Sequence, residues 1–299
     1  MKKLYLVSAL VALMTTSCSS TMTDEIGTEV TENQFANLKF TVEGSFEKEL
    51  NPFTRAAASS VLNKLDLALY TVKDGVYSKY ADVYTNNGDE NFGSISISNV
   101  NYGTYVVMAT GHSSTSGGHA MLDNIQEIGY DNGFVPTAYY CCDTIQVNVD
   151  NKQFTLNLTP AVAAFRLQMK DAIPINSGSL TFEVSNASNY MNGLNGLAAS
   201  EKIQTYTSTI NLPETVWGNA GQSARVCMFL PMVDMETNSN IIVKVTAYSS
   251  DGSEITSYTF TNVPMRRGCI TTYSGNFFGD GTAFSITVND TWDEINETF

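Results

Sequence analysis

The clearest pattern along this chain is a period of two. Leu38-Lys39-Phe40-Thr41-Val42 alternates apolar and polar positions, and Leu65, Leu67 and Leu69 repeat that spacing. Side chains two apart share one face of an extended chain, so each run predicts a half-buried strand. Lys73-Asp74-Gly75 closes the second run as a tight hairpin, and Asn86-Asn87-Gly88-Asp89 predicts another turn. Ile95 and Ile97 mark a strand, Asn101-Tyr102-Gly103 a turn, and residues 105–109 a largely apolar strand suited to an interior. Ile145, Val147 and Val149 alternate, Asp150-Asn151-Lys152 turns, and Phe154, Leu156 and Leu158 return, which predicts a hairpin.

A second series begins with Ala163, Phe165, Leu167 and Met169. It continues through Leu180, Phe182 and Val184, then Val226, Met228 and Leu230, then Ile241, Val243, Val245 and Ala247, then residues 257–260. Phe284, Ile286 and Val288 form the final strand, which Trp292 and Phe299 are expected to staple to the core. No stretch carries the period of about 3.6 residues that an amphipathic helix needs. Short strands with turn residues between them predict an all-β fold of two tandem antiparallel β-sandwich domains. Their expected extents are 36–158 and 159–299, with the boundary at Thr159, where Pro160 follows a completed hairpin. No conspicuous Gly/Ser linker separates the two sandwiches, so they are expected to pack closely.

The N-terminus follows a different pattern. Lys2-Lys3 precedes an apolar stretch, residues 4–14, which is the length of a signal peptide core and too short to span a bilayer. Small residues Thr15-Thr16-Ser17 then lead to Cys18. This order predicts a lipoprotein signal peptide over 1–17 and lipidation of Cys18, although Thr15 stands where such signals usually carry Leu. Residues 18–35 are polar and acidic, with no hydrophobic period, and are expected to form a flexible tether. An acyl anchor at the outer membrane would then be the chain's attachment to a bilayer.

Composition narrows the partners. Of 299 residues, 43% are apolar and only 15% charged, the balance of a globular chain. The formal charge is −14, and loss of residues 1–17 removes Lys2 and Lys3 but no acid. A surface this acidic repels phosphate backbones, so nucleic acid is excluded as a partner.

Chemistry-bearing motifs are sparse. His112 and His119 lie in a Gly/Ser-rich stretch without a third ligand at metal-binding spacing, so a polar exposed loop is favoured and no metal or cofactor is assigned. Residues 86–90 and Asp280-Gly281 lack the alternating carboxylates of a calcium loop. There is no Gly-x-Ser-x-Gly, phosphate-binding loop or Cys/His dyad motif, so the expectation is that the chain is not an enzyme. Trp217 and Trp292 have the shape to stack on sugars, but a large aromatic in a β-sandwich is more often core. Cys141, Cys142, Cys227 and Cys269 have no zinc spacing, and buried free thiols are favoured over disulfides.

Three stretches together resemble the fimbrillin-like fimbrial subunits and anchors of Bacteroidales. The first is Leu65-Asp-Leu-Ala-Leu-Tyr70 with Asp74-Gly75, Gly103-Thr-Tyr105 and Ala109-Thr-Gly-His112. The second is Leu158-Thr-Pro-Ala-Val-Ala-Ala-Phe-Arg166 with Asp171-Ala-Ile-Pro174. The third is Val263-Pro264, Arg266, Thr271-Thr-Tyr-Ser-Gly-Asn-Phe-Phe278, the strand ending at Val288, and Trp292. Pro160 and Gly268 depart from that pattern, where the family often has Arg and Asn.

The resemblance implies two transthyretin-like sandwiches, export as a surface lipoprotein, and assembly with other fimbrial subunits by strand exchange in support of adhesion. Its partners would also include the outer membrane and a host or bacterial surface receptor. It further implies proteolytic processing at Arg55, which would remove a strand carrying Leu38, Phe40 and Val42. Two alternatives stand beside this: Arg55 as a solvated loop residue, and Leu38–Val42 as a permanent first strand. The rival class is a non-polymerising surface lipoprotein that binds glycan or host protein.

Overall fold

The computed structural model describes residues 35–44, 62–90, 92–113, 118–235, 240–279 and 283–289. They all belong to one compact unit, Gln34–Phe299. The first half contains β1 (Phe35–Gly44), β2 (Lys64–Lys73), β3 (Val76–Asn86), β4 (Ser94–Asn101), β5 (Gly103–His112), β6 (Ala138–Val147) and β7 (Gln153–Pro160). The second half begins with β8 (Ala163–Met169), β9 (Ser177–Ala187), β10 (Met191–Asn192), β11 (Leu197–Ala198), β12 (Gln204–Asn211) and β13 (Ser223–Met228). It continues with β14 (Asp234–Met235), β15 (Ile242–Ser249), β16 (Glu254–Phe260), β17 (Met265–Arg266), β18 (Ile270–Gly275) and β19 (Ser285–Asn289).

The first half is one seven-stranded sheet in the order β3-β2-β5-β6-β7-β1-β4. It folds over at the β6–β7 junction, where only Tyr139↔Pro160 and Tyr140↔Thr159 pair. The two arms close on a core that includes Leu65, Leu67 and Leu69 of β2, Val107 of β5, Phe40 of β1, Ile95 of β4 and Leu156 of β7. Asp74 (φ 53) and Gly75 (φ 78) turn β2 into β3, the two positive φ angles that a tight type I′ hairpin requires. In the second half the sheets β12-β9-β15-β16 and β13-β8-β18-β19 enclose a separate core around Phe165, Phe182, Val243 and Phe260.

One winding occurs twice. β1 pairs antiparallel with β4 and parallel with β7, as β8 does with β13 and β18. β2 lies between β3 and β5, as β9 lies between β12 and β15, and β5 pairs β6 as β15 pairs β16. Beyond this shared plan the second half adds β19 at the edge of β18.

Two expectations are corrected. The run 145–158 does not form a laddered hairpin: β7 pairs with β1, because the strands on either side of the turn belong to different arms of the sandwich. The last strand forms as expected, and Phe284 at its start packs against the second core with its ring 5.0 Å from Phe260, but Ile286 and Val288 are 53% and 36% exposed. Ile286 stands opposite the buried Tyr273 in the β18–β19 ladder, and β19 is the edge strand of its sheet. Trp292 and Phe299 lie outside the described residues.

A third apolar cluster joins the halves. Leu122, Ile125, Ile128 and Tyr130, from the connection between β5 and β6, pack on the outer side of β2 and β5 through Ala68, Tyr70, Val106 and Met108. The same cluster takes in Ala164, Met191, Phe229 and Ile270 of the second half. A backbone bridge between Ile128 and Met191 and a 2.7 Å bond from Gly193 N–H to the Ile125 carbonyl reinforce it.

Candidate functional site

β1 is first in the described chain, yet it sits inside a sheet. Its register runs from Phe35↔Asn101 to Thr41↔Ser94 on the β4 side, with a shift between Ala36 and Leu38, and from Lys39↔Gln153 to Gly44↔Leu158 on the β7 side. Ala36, Leu38 and Phe40 are buried and Val42 is half-buried, while Phe35, Asn37, Lys39 and Thr41 are exposed. The Phe40 ring stacks on Phe154 at 5.5 Å. The alternation thus has its physical cause: even-numbered side chains enter the core and odd-numbered ones face outward.

The counterpart strand β8 is held differently. Ala163, Phe165, Leu167 and Met169 enter the second core, and Ala164 on the opposite face joins the cluster between the halves. β8 also follows β7 with only Ala161 and Val162 between them, whereas residues 45–63 separate β1 from β2. Arg55 falls in that separating stretch and lies outside the described residues, as does Cys18.

The two histidines do not occupy a polar exposed loop. His112 ends β5 with a wholly buried side chain, and His119 is 27% exposed. Both meet Asp66 of β2, itself wholly buried: His112 Nε2 lies 2.9 Å from Oδ2 and His119 Nδ1 2.7 Å from Oδ1. The Ala120 N–H also donates to Oδ2 at 2.6 Å. A carboxylate only accepts, so these ring nitrogens carry the hydrogens. The Tyr130 ring lies edge-on to His112 at 4.8 Å, and burial holds the Tyr130 phenol well above its usual range. Sequence spacing gave no sign of Asp66, which stands 46 residues before His112. Among the described residues no group of three or more His, Cys, Asp or Glu side chains is disposed to hold a metal ion.

The other singled-out side chains serve the fold. Trp217 packs against the second core and its indole N–H donates to the Ser177 carbonyl at 2.8 Å. Cys141, Cys142, Cys227 and Cys269 are thiols rather than disulfide partners. Among the described residues no helix is long and apolar enough to cross a membrane.

These elements define a class: an all-β protein built from one strand winding used twice and led by a strand buried within its sheet. Several solved structures are similar to it. A candidate adhesin from Bacteroides ovatus is similar with a TM-score of 0.50 at 12% identity, covering 85% of this chain and 96% of that one. A candidate adhesin from Bacteroides thetaiotaomicron has a TM-score of 0.48 at 10% identity, over 86% of this chain and 97% of that one. The fimbrial anchor protein Mfa2 from Porphyromonas gingivalis has a TM-score of 0.46 at 13% identity, over 86% and 98%. No curated protein matches the chain. Over residues 28–298 the chain matches a family of unknown function, DUF6562, and belongs to it.

Proposed function

We propose that the protein is an outer-membrane surface lipoprotein, lipidated at Cys18, which serves as a structural subunit or anchor of fimbriae and supports adhesion. Assembly is by strand donation between subunits. The observation that carries this reading is the unequal hold on the two equivalent strands β1 and β8. β8 is buried on both faces, while β1 is buried on one face and exposed on the other.

A cut after Arg55 would leave β1 attached only through its ladders and its core contacts. Departure of β1 would strip β4 and β7 of a shared neighbour and open a groove lined by Ile95, Ile97, Leu156 and Leu158. Unpaired backbone beside an apolar groove is the surface that an incoming strand with alternating apolar residues fills. The fold shared with the Bacteroides ovatus adhesin candidate supports a role at the cell surface.

The test is Arg55→Ala in cells, followed by the size of the mature protein and the ladder of subunits sheared from the surface. The expected result is a longer mature chain, retained in the membrane fraction, with no polymer ladder. Normal polymers built from the uncut, substituted chain would overturn the strand-donation reading. A monomer in both proteins would favour a non-polymerising binder of glycan or host protein.

A further inference from the structure

The sequence holds four Asn-Gly steps: Asn87-Gly88, Asn132-Gly133, Asn192-Gly193 and Asn195-Gly196. Such a step carries its own chemistry. The glycine nitrogen attacks the asparagine Cγ, the new N–C bond closes a succinimide ring, and the side-chain amide leaves as ammonia. Water then opens the ring at either carbonyl, which gives aspartate or its isomer with the backbone running through Cγ. Glycine favours the reaction because it has no Cβ to obstruct the attack and its backbone turns freely.

The fold decides which of the four steps reacts. A nitrogen whose N–H is bonded within a turn reaches Cγ only when that turn opens. The Gly133 N–H donates to the Tyr130 carbonyl at 2.9 Å, the Gly193 N–H to the Ile125 carbonyl at 2.7 Å, and the Gly196 N–H to the Asn192 carbonyl at 2.8 Å. Two of these glycines are also hemmed in. A Cβ on Gly193 would meet Ile128 and the Ile125 carbonyl, and one on Gly196 would overlap the Tyr140 ring.

The first step differs on both counts. Among the described residues the Gly88 N–H has no hydrogen-bond partner, and a Cβ there would meet nothing within 4 Å. Asn87 is itself exposed, in the turn between β3 and β4. Its own N–H donates to the Asn63 carbonyl at 2.6 Å, which fixes the residue while leaving the next nitrogen open.

We propose that Asn87 is a modification site, which deamidates through a succinimide with Gly88 while the fold protects the other three steps. The reaction consumes water, releases ammonia and needs no oxidant or enzyme. Its product adds a carboxylate beside Asp89 and Glu90, and the isomer lengthens the backbone by a methylene. Both changes fall in a turn knit by the Asn86 N–H to Asp89 Oδ2 at 3.0 Å and by Lys64 Nζ to Asn86 Oδ1 at 2.5 Å. The folded chain thus records its age at the β3–β4 turn. This inference goes beyond the fimbrial reading and does not depend on it.

The test is timed incubation of the purified full-length chain at mildly alkaline pH, followed by peptide mass spectrometry of all four steps. Conversion of amide to acid is read from the mass, and the isomer from its acceptance of a methyl group from an isoaspartyl methyltransferase. In the folded chain Asn87 should convert about fivefold or more faster than Asn132, whose glycine must first give up a hydrogen bond. Asn192 and Asn195 should be slower still. In urea the four rates should converge, because each asparagine is followed by glycine and the turns are gone. Conversion of Asn87 no faster than Asn132 in the folded chain, or the same order of rates in urea, would overturn the proposal.

Discussion

Asp171 and Phe278 are 107 residues apart in sequence, and the Phe278 N–H donates to Asp171 Oδ2 at 2.6 Å. The Phe277 and Gly279 N–H groups donate to the same carboxylate at 2.9 and 2.8 Å. Three consecutive N–H groups form a concave site for an anion, and here the chain supplies the anion itself. The bond set ties the segment after β8 to the turn that leads into β19. Asp171→Ala removes a charged acceptor from three donors and is expected to lower unfolding stability by about 2–4 kcal/mol. Urea denaturation measures this, and an unchanged midpoint would show that the turn holds without its carboxylate.

Phe40 is the largest wholly buried side chain of β1. In the uncut chain Phe40→Ala should cost about 3–5 kcal/mol, the range for truncating a core Phe. Thermal or urea unfolding of the purified protein gives the value. A loss below about 1 kcal/mol would mean that β1 contributes little to the folded chain, and its groove would lose its claim to an apolar occupant.

Gly196 shows why the joint between the halves admits one residue there. Its φ is +70°, and a Cβ at this position would overlap the Tyr140 ring. Tyr140 in turn donates to the Asn195 carbonyl at 2.8 Å, with Arg267 over its ring at 5.6 Å. Gly196→Ala should therefore destabilise by more than the roughly 1 kcal/mol that the backbone angle alone costs. Part of that loss should vanish in a Tyr140→Ala background, which removes the collision. A double-mutant cycle reads the coupling, and strict additivity of the two changes would contradict the contact.

Burial raises the Cys141 and Cys142 thiols, and Cys142, with Cys141 and Asp143 adding to the effect, is pushed from 9.0 up to about 11. A raised thiol value means less thiolate at a given pH, about a hundredfold less for Cys142 near neutrality. Iodoacetamide labelling of the native protein near pH 8, followed by peptide mass spectrometry, should modify Cys142 far more slowly than after unfolding. Equal rates in the two states would show the thiol to be open to solvent.

The sequence by itself determined which residues face inward along most strands and where several turns fall. Leu38 and Phe40, the three leucines of β2, and the runs of β8, β9 and β15 bury the side chains that their alternation marks. This information is local: a period of two fixes a face, and Asp74-Gly75 supplies a backbone geometry without reference to the rest of the chain. The choice of partner is not local. β7 pairs in parallel with β1 across more than a hundred residues, and no pattern within either strand encodes that register.

Only the tertiary structure decided what covers the second face of a strand. β2 is buried on both sides because the β5–β6 connection lies over Asp66, Ala68 and Tyr70, and that same covering brings His112 and His119 to one carboxylate. Conversely, β19 carries an apolar alternation that signals burial, yet Ile286 and Val288 are exposed, whereas Ile95 and Val100 of β4, also a strand at the edge of its sheet, are buried. Alternation states which side chains share a face. Burial depends on what stands opposite that face, which the chain settles only by folding.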